Sequence, residues 1–188
     1  MAATPFAKTW TYEDLLALPD DGKRYEIIDG ELFEMPSPGF EHSTAIMNLI
    51  FLVTPLVNSL GGIVRTAPLD VFMSGANPVQ PDIFVLLPDR LHMVTPRGIE
   101  GPPNLVMEVL SPWNPGHDRL RKRALYAGAG VDEYWLISPE AAIVEVLVRE
   151  GDGFHLFLRA GGDEPVRSKV LADLSFPASA AFAATLPL

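Results

Sequence analysis

Two acids stand where acids are costly. Asp82 opens the apolar run Asp82-Ile83-Phe84-Val85-Leu86-Leu87, and Glu108 lies inside Leu105-Val106-Met107-Glu108-Val109-Leu110. Both runs read as buried strands, and an ionised carboxylate there needs a charge partner, hydrogen bonds or a metal. Two carboxylates on neighbouring strands would make a hard-oxygen site suited to magnesium or manganese. The plainer alternative stays open: Asp82 caps a strand start after Pro81, and Glu108 pairs with an arginine. A second pattern follows directly. Asp118, Lys122 and Tyr126 are four residues apart and so share one face of the helix expected over Asp118 to Ala129. That face is either a surface Asp–Lys pair with a core tyrosine, or a lysine delivered to the acids. A right-handed strand–helix–strand crossover would pack the helix on the sheet that carries Glu108. Lys122 would then stabilise a pentavalent phosphate or orient an attacking water.

The elements that must position these groups are marked along the chain. Thr11 is an N-cap for a helix over Tyr12 to Leu18, stopped by Pro19. Asp29-Gly30 separates Tyr25-Glu26-Ile27-Ile28 from Glu31-Leu32-Phe33-Glu34-Met35, a hairpin signal. A two-residue turn sets Ile28 against Glu31 and Glu26 against Phe33, so both glutamates share one face of the ribbon. His42 to about Leu60 has helical spacing and ends at Gly61-Gly62. Short strands are expected at Ile63 to Arg65 and Leu69 to Met73, a long loop over residues 88 to 103, and a strand from Glu133 to Ser138. A hairpin is expected from Ala142 to Val148 and Phe154 to Leu158, around Gly151-Asp152-Gly153. The tail beyond Gly161 is low in signal. Together these elements predict an α/β domain with a mixed sheet flanked by helices and an N-terminal hairpin extension.

Composition narrows the function. The chain has 188 residues, enough for one domain, with a core expected over about residues 12 to 158. It has no cysteine, which excludes disulfides, thiolate metal sites and cysteine nucleophiles. No apolar run is long enough to span a bilayer: the candidate from Ile46 to Leu60 is broken by Asn48, Thr54, Pro55 and Asn58. With no secretory signal at the start, a cytoplasmic protein is expected. The net charge of −10 argues against tight, non-specific grip on nucleic acid. A local basic cluster, Arg119, Arg121, Lys122 and Arg123, could still guide substrate.

Pro81-Asp82, Glu108-Val109-Leu110-Ser111-Pro112, Asp118…Lys122…Tyr126 and Gly130-Val131-Asp132-Glu133-Tyr134-Trp135 occur in order, after Tyr25-Glu26-Ile27-Ile28-Asp29-Gly30-Glu31-Leu32 and His42. Over roughly Tyr12 to Phe157 the chain resembles the Uma-type putative restriction endonucleases, a branch of the PD-(D/E)XK nuclease superfamily. The usual lysine two residues after the second acid is absent, since that position is Leu110. The resemblance implies that the role passes to Lys122. It implies a restriction-endonuclease-like fold, with Asp82, Glu108 and the Val109 carbonyl as ligands of magnesium or manganese. Lys122 would be the electrostatic catalyst, supported by Tyr126. Glu31 is a further candidate acid, and His42 either contacts substrate or caps its helix. Arg119 and Arg123 would reach the DNA backbone, unless the cluster is simply a solvated helix face. Ser111 reads as a turn residue, with no histidine placed to activate it. The expected activity is metal-dependent hydrolysis of DNA phosphodiesters. The alternatives are a non-catalytic module keeping the fold and, further off, a carboxylate-pair glycosidase, for which Trp10, Trp113 and Trp135 are too scattered to line a cleft. Apolar faces on the 88 to 103 loop and the C-terminal hairpin suggest a homodimer, which would suit cleavage of two strands.

Overall fold

The computed structural model describes residues 8–28, 30–35, 37–73, 78–111 and 116–184, without the side chains of residues 24, 28, 35 and 116–119. Its centre is a six-stranded sheet in the order β10-β9-β8-β7-β4-β3. The strands are β3 (Ile63–Thr66), β4 (Ile83–Leu86), β7 (Leu105–Val109), β8 (Glu133–Ser138), β9 (Ile143–Glu150) and β10 (Gly153–Gly161). β7 and β8 run parallel, and the other neighbours are antiparallel. Helix α3 (Gly116–Ala129) makes the crossover between the parallel pair, so the mixed sheet flanked by helices stands as expected.

Every residue of β4 and β7 is buried, because both faces of these strands are covered. On one face, Ile83, Val85, Leu105 and Met107 pack with Leu49, Val53 and Val57 of helix α2 (Phe40–Ser59). Ala45, Leu49, Val53 and Val57 recur every four residues, the spacing that sets a single buried stripe on a helix. On the other face, Phe84, Val106, Tyr134 and Leu136 pack with Tyr126 and Ala127 of α3. Alternation along the strands therefore decides which helix each side chain meets.

The N-terminal hairpin pairs β1 (Arg24–Ile28) with β2 (Glu31–Met35), with Ile28 opposite Glu31 and Glu26 opposite Phe33. That is the register expected from Asp29-Gly30; Asp29 itself lies outside the described residues. Gly30 has φ +77, and a Cβ there would come within 2.6 Å of the Thr9 methyl. Before the hairpin, α1 (Tyr12–Leu16) is held by a capping box between Thr11 and Asp14. It stops short of the expected Leu18, since a residue preceding proline avoids helical dihedrals.

Two further expectations need correction. Residues 69 to 73 form no strand: Val71 makes only isolated bridges, to Val79 and Ile99. Pro68 and Pro78 flank this stretch and lack the amides a longer ladder would use. Residues 88 to 103 are not an open loop. They hold a 3-10 turn (Pro88–Met93) and a small ribbon of β5 (Val94–Thr95) and β6 (Gly98–Ile99). Arg90 pins them, donating to the carbonyls of Pro102, Pro103 and Gly130 and to Asp132. The tail is also structured. β11 (Pro165–Arg167) pairs with β12 (Ser175–Pro177), and Val166, Leu171, Leu174 and Phe176 join the α2-side core.

Glu133 ties that tail down. It is 0% exposed and accepts from Trp135 Nε1 at 2.6 Å, the Ser168 hydroxyl at 2.7 Å, and the amides of Lys169 at 2.6 Å and Val170 at 3.1 Å. All four partners are donors, so the site needs acceptors on both oxygens. Glu133→Gln would turn an NH2 group toward two of those donors and should cost about 3 kcal/mol. Urea denaturation should show a lower midpoint at unchanged slope. A midpoint equal to wild type would rule out the anchoring role.

Candidate functional site

Adjacent strands bring the two acids together. β4 and β7 pair with Ile83 opposite Met107 and Phe84 opposite Val106. Phe84 and Val106 face α3; two residues before Phe84 and two after Val106, Asp82 and Glu108 fall on that same side. Asp82 Oδ2 accepts the Val109 amide at 2.8 Å, which locks the end of β4 to the end of β7. His42, in the first turn of α2, brings Nε2 within 3.3 Å of the same Asp82 oxygen. Its ring does not cap the helix: the N-cap is Gly39, without a side-chain bond. The His42 Nδ1 is buried without a hydrogen-bond partner among the described residues.

Helix α3 supplies the ammonium. Lys122 is 3% exposed, and its Nζ lies 3.4 Å from both carboxylate oxygens of Glu108. Tyr126, one turn on, donates its hydroxyl to Glu108 Oε1 at 2.5 Å. The spacing of four thus sets a cation and a donor on one carboxylate, as the strand–helix–strand geometry allows. Asp118, one turn earlier, has a side chain outside the described residues.

The hairpin adds a third acid, which the expected register places on the same face as Glu31 and which no motif in the sequence marks. Glu26, 2% exposed, places Oε2 3.1 Å from Lys122 Nζ, while its Oε1 accepts the Gln80 amide at 2.9 Å. Glu31, the hairpin acid named from sequence, sits instead at the exposed end of the ribbon and pairs with Arg121 at 2.5 Å. Both acids do share a face. Which one is buried depends on how the ribbon docks on α3, and the only local sign is that apolar residues flank Glu26.

The basic cluster disperses. Arg121 turns to Glu31, Lys122 turns inward, and Arg123 donates to the Phe154 carbonyl, tying α3 to β10. Arg123 is therefore engaged within the fold rather than presented with the acids. The Arg119 side chain lies outside the described residues.

Glu108 is 8% exposed, and burial pushes its carboxyl up to about 8. Lys122 and the Tyr126 hydroxyl oppose that rise, and the charges of Asp82 and Glu26 add to it. Burial likewise raises the Tyr126 phenol, with Glu108 adding to the effect. Three carboxylates thus face one buried ammonium and one imidazole. Among the described residues no group of three or more acids or histidines is placed to hold a metal ion. The surplus of negative oxygen over positive charge nevertheless suits a hard divalent ion held by few protein ligands, with other positions left to water and substrate. Asp82 and Glu108 are the donors that fit.

The raised Glu108 carboxyl has a consequence for stability without added metal. The folded chain keeps a proton that the unfolded chain releases in the ordinary carboxylate range. Stability from that proton is complete below the unfolded value and is lost as pH rises toward about 8. Between about pH 5 and pH 8 the unfolding free energy from urea denaturation should fall, by at most about 1.4 kcal/mol per pH unit. Glu108→Gln should flatten the slope; an equally steep decline in that variant would exclude Glu108 as its source.

Comparison with known proteins agrees with this architecture. A crystal structure from Anabaena variabilis, described as a putative nuclease belonging to DUF820, superposes with a TM-score of 0.74 at 21% identity. The match covers 92% of this chain and 97% of that one, and it shows the shared fold. Comparison with curated proteins finds no match. Residues 12–180 match the Uma2 family model, described as putative restriction endonuclease, so the chain belongs to the Uma2 family.

Proposed function

We propose that this chain is a divalent-metal-dependent nuclease that hydrolyses DNA phosphodiester bonds at Asp82, Glu108 and Lys122, in the manner of the PD-(D/E)XK enzymes. The observation that carries the reading is the Asp82–Glu108 pair at the ends of adjoining strands, with a buried ammonium 3.4 Å from the second acid. Membership of the Uma2 family supports nuclease activity in general.

In this reading Asp82, Glu108 and the Val109 carbonyl hold magnesium or manganese, which would supply charge neutralisation at the phosphate and ready deprotonation of a water. The chain's own residues do the rest. Lys122 offsets negative charge that builds on the phosphate, and in a poorly solvated site that effect is large. Tyr126 fixes the rotamer of Glu108 through its hydroxyl, and His42 with the Val109 amide fixes Asp82. The partly exposed side of the site, where Asp82 is 16% and His42 13% accessible, is where substrate enters. Arg119, named from the sequence as a DNA-backbone contact, keeps that role in this reading. A pair of copies would act on two strands. Phe40, Met47 and Phe51, exposed along one side of α2, support that pairing, which light scattering on the intact chain tests.

A second reading, a fold-retaining module without catalysis, is favoured by the net charge of −10 and by the close hold of Lys122 and Tyr126 on Glu108. One set of measurements separates the two. Wild type should nick supercoiled plasmid with magnesium or manganese, and Asp82→Ala, Glu108→Ala and Lys122→Ala should each lower the rate by about 100-fold or more. Manganese should raise the melting temperature of wild type and not of Asp82→Ala. Metal binding without nicking would favour the module. Nicking that survives all three substitutions would discard the assignment.

A further inference from the structure

Lys122 is held by two carboxylates, but only one of them is a candidate metal ligand. Glu108 is shared with Tyr126 and lies beside Asp82. Glu26 comes from the hairpin, far from the β4–β7 junction in the chain, and its Oε1 is committed to the Gln80 amide. Its Oε2 is shielded from solvent and has no hydrogen-bond partner among the described residues, only the Lys122 ammonium beside it at 3.1 Å. A buried carboxylate oxygen aimed at one ammonium, on an element otherwise peripheral to the sheet, needs an explanation.

We propose that Glu26 is a positioning residue: it is the standing counter-charge of Lys122, keeping the ammonium in the site when Glu108 turns from it to a divalent cation. The inference rests on the metal-binding reading above and adds a residue to it. Drawing Glu108 toward a cation would otherwise leave Lys122 buried without a counter-ion. Lys122 would then either hold Glu108 back or leave the site. With Glu26 in place, its charge stays balanced in both arrangements. The hairpin thereby takes part in metal binding without touching the ion.

The test is a double-mutant cycle on manganese binding, read by titration calorimetry on the intact chain. It uses wild type, Glu26→Gln, Lys122→Met and the double variant. Glu26→Gln should weaken manganese binding by about tenfold, the scale expected when a residue acting through a ligand is lost. In the Lys122→Met background the same change should have little effect, because the ammonium that Glu26 restrains is gone. Equal weakening in both backgrounds would mean that Glu26 itself binds the ion, and no weakening in either would mean that it serves only the hairpin; each outcome overturns the proposal alone. Absence of manganese binding by wild type would overturn both this inference and the nuclease reading. Should a substitution prevent folding, a crystal structure of wild type with manganese decides. Lys122 Nζ still on Glu26 with Glu108 on the ion supports the proposal; Nζ gone from Glu26, or Glu26 on the ion, overturns it.

Discussion

An ammonium buried to 3% exposure has to be balanced wherever it sits, and in this fold the balance comes from two directions at once. Glu108 reaches Lys122 from the centre of the sheet, and Glu26 reaches it from a ribbon outside the sheet. Removing water from a charged group is costly, and its partners offset the cost only if the geometry is held. Much of the surrounding structure can be understood as holding it. Tyr126 fixes one carboxylate, the Gln80 amide fixes the other, and packing of Tyr126 and Ala127 on Tyr134 and Leu136 holds the helix that carries the lysine.

The acids themselves were legible from the sequence, because a carboxylate in a run such as Leu-Val-Met-Glu-Val-Leu contradicts its neighbours. The face of α3 was legible too, since a spacing of four needs no knowledge of the rest of the fold. What one segment alone does not reveal is how segments dock. The Asp29-Gly30 pair predicts that Glu26 and Glu31 share a face, and the observed strand register agrees. Which of them enters the interior depends on the angle between hairpin and helix, a tertiary property. The same holds for Arg123, whose engagement with Phe154 requires β10 to lie beside α3.

The tail illustrates a different limit. Its strands have three residues each and little periodicity, so they carry no pattern to read. The segment between them is held by Glu133, which accepts three hydrogen bonds from residues 168 to 170. Order there is imposed by a distant partner rather than by local preference, as is common where short strands add to an existing core.

The hairpin turn has a final implication. Loop tips are ordinarily the places where evolution adds or drops residues at little cost. At residues 29 and 30 that freedom is curtailed, because alternation along a strand inverts with every single-residue slip. One extra residue would force a choice between Glu26 facing Lys122 and Phe33 facing the α3-side core beside Arg121. A connection remote from any candidate ligand thus acts as a ruler for the electrostatics of the interior, and length changes there should be as poorly tolerated as changes to the acids themselves.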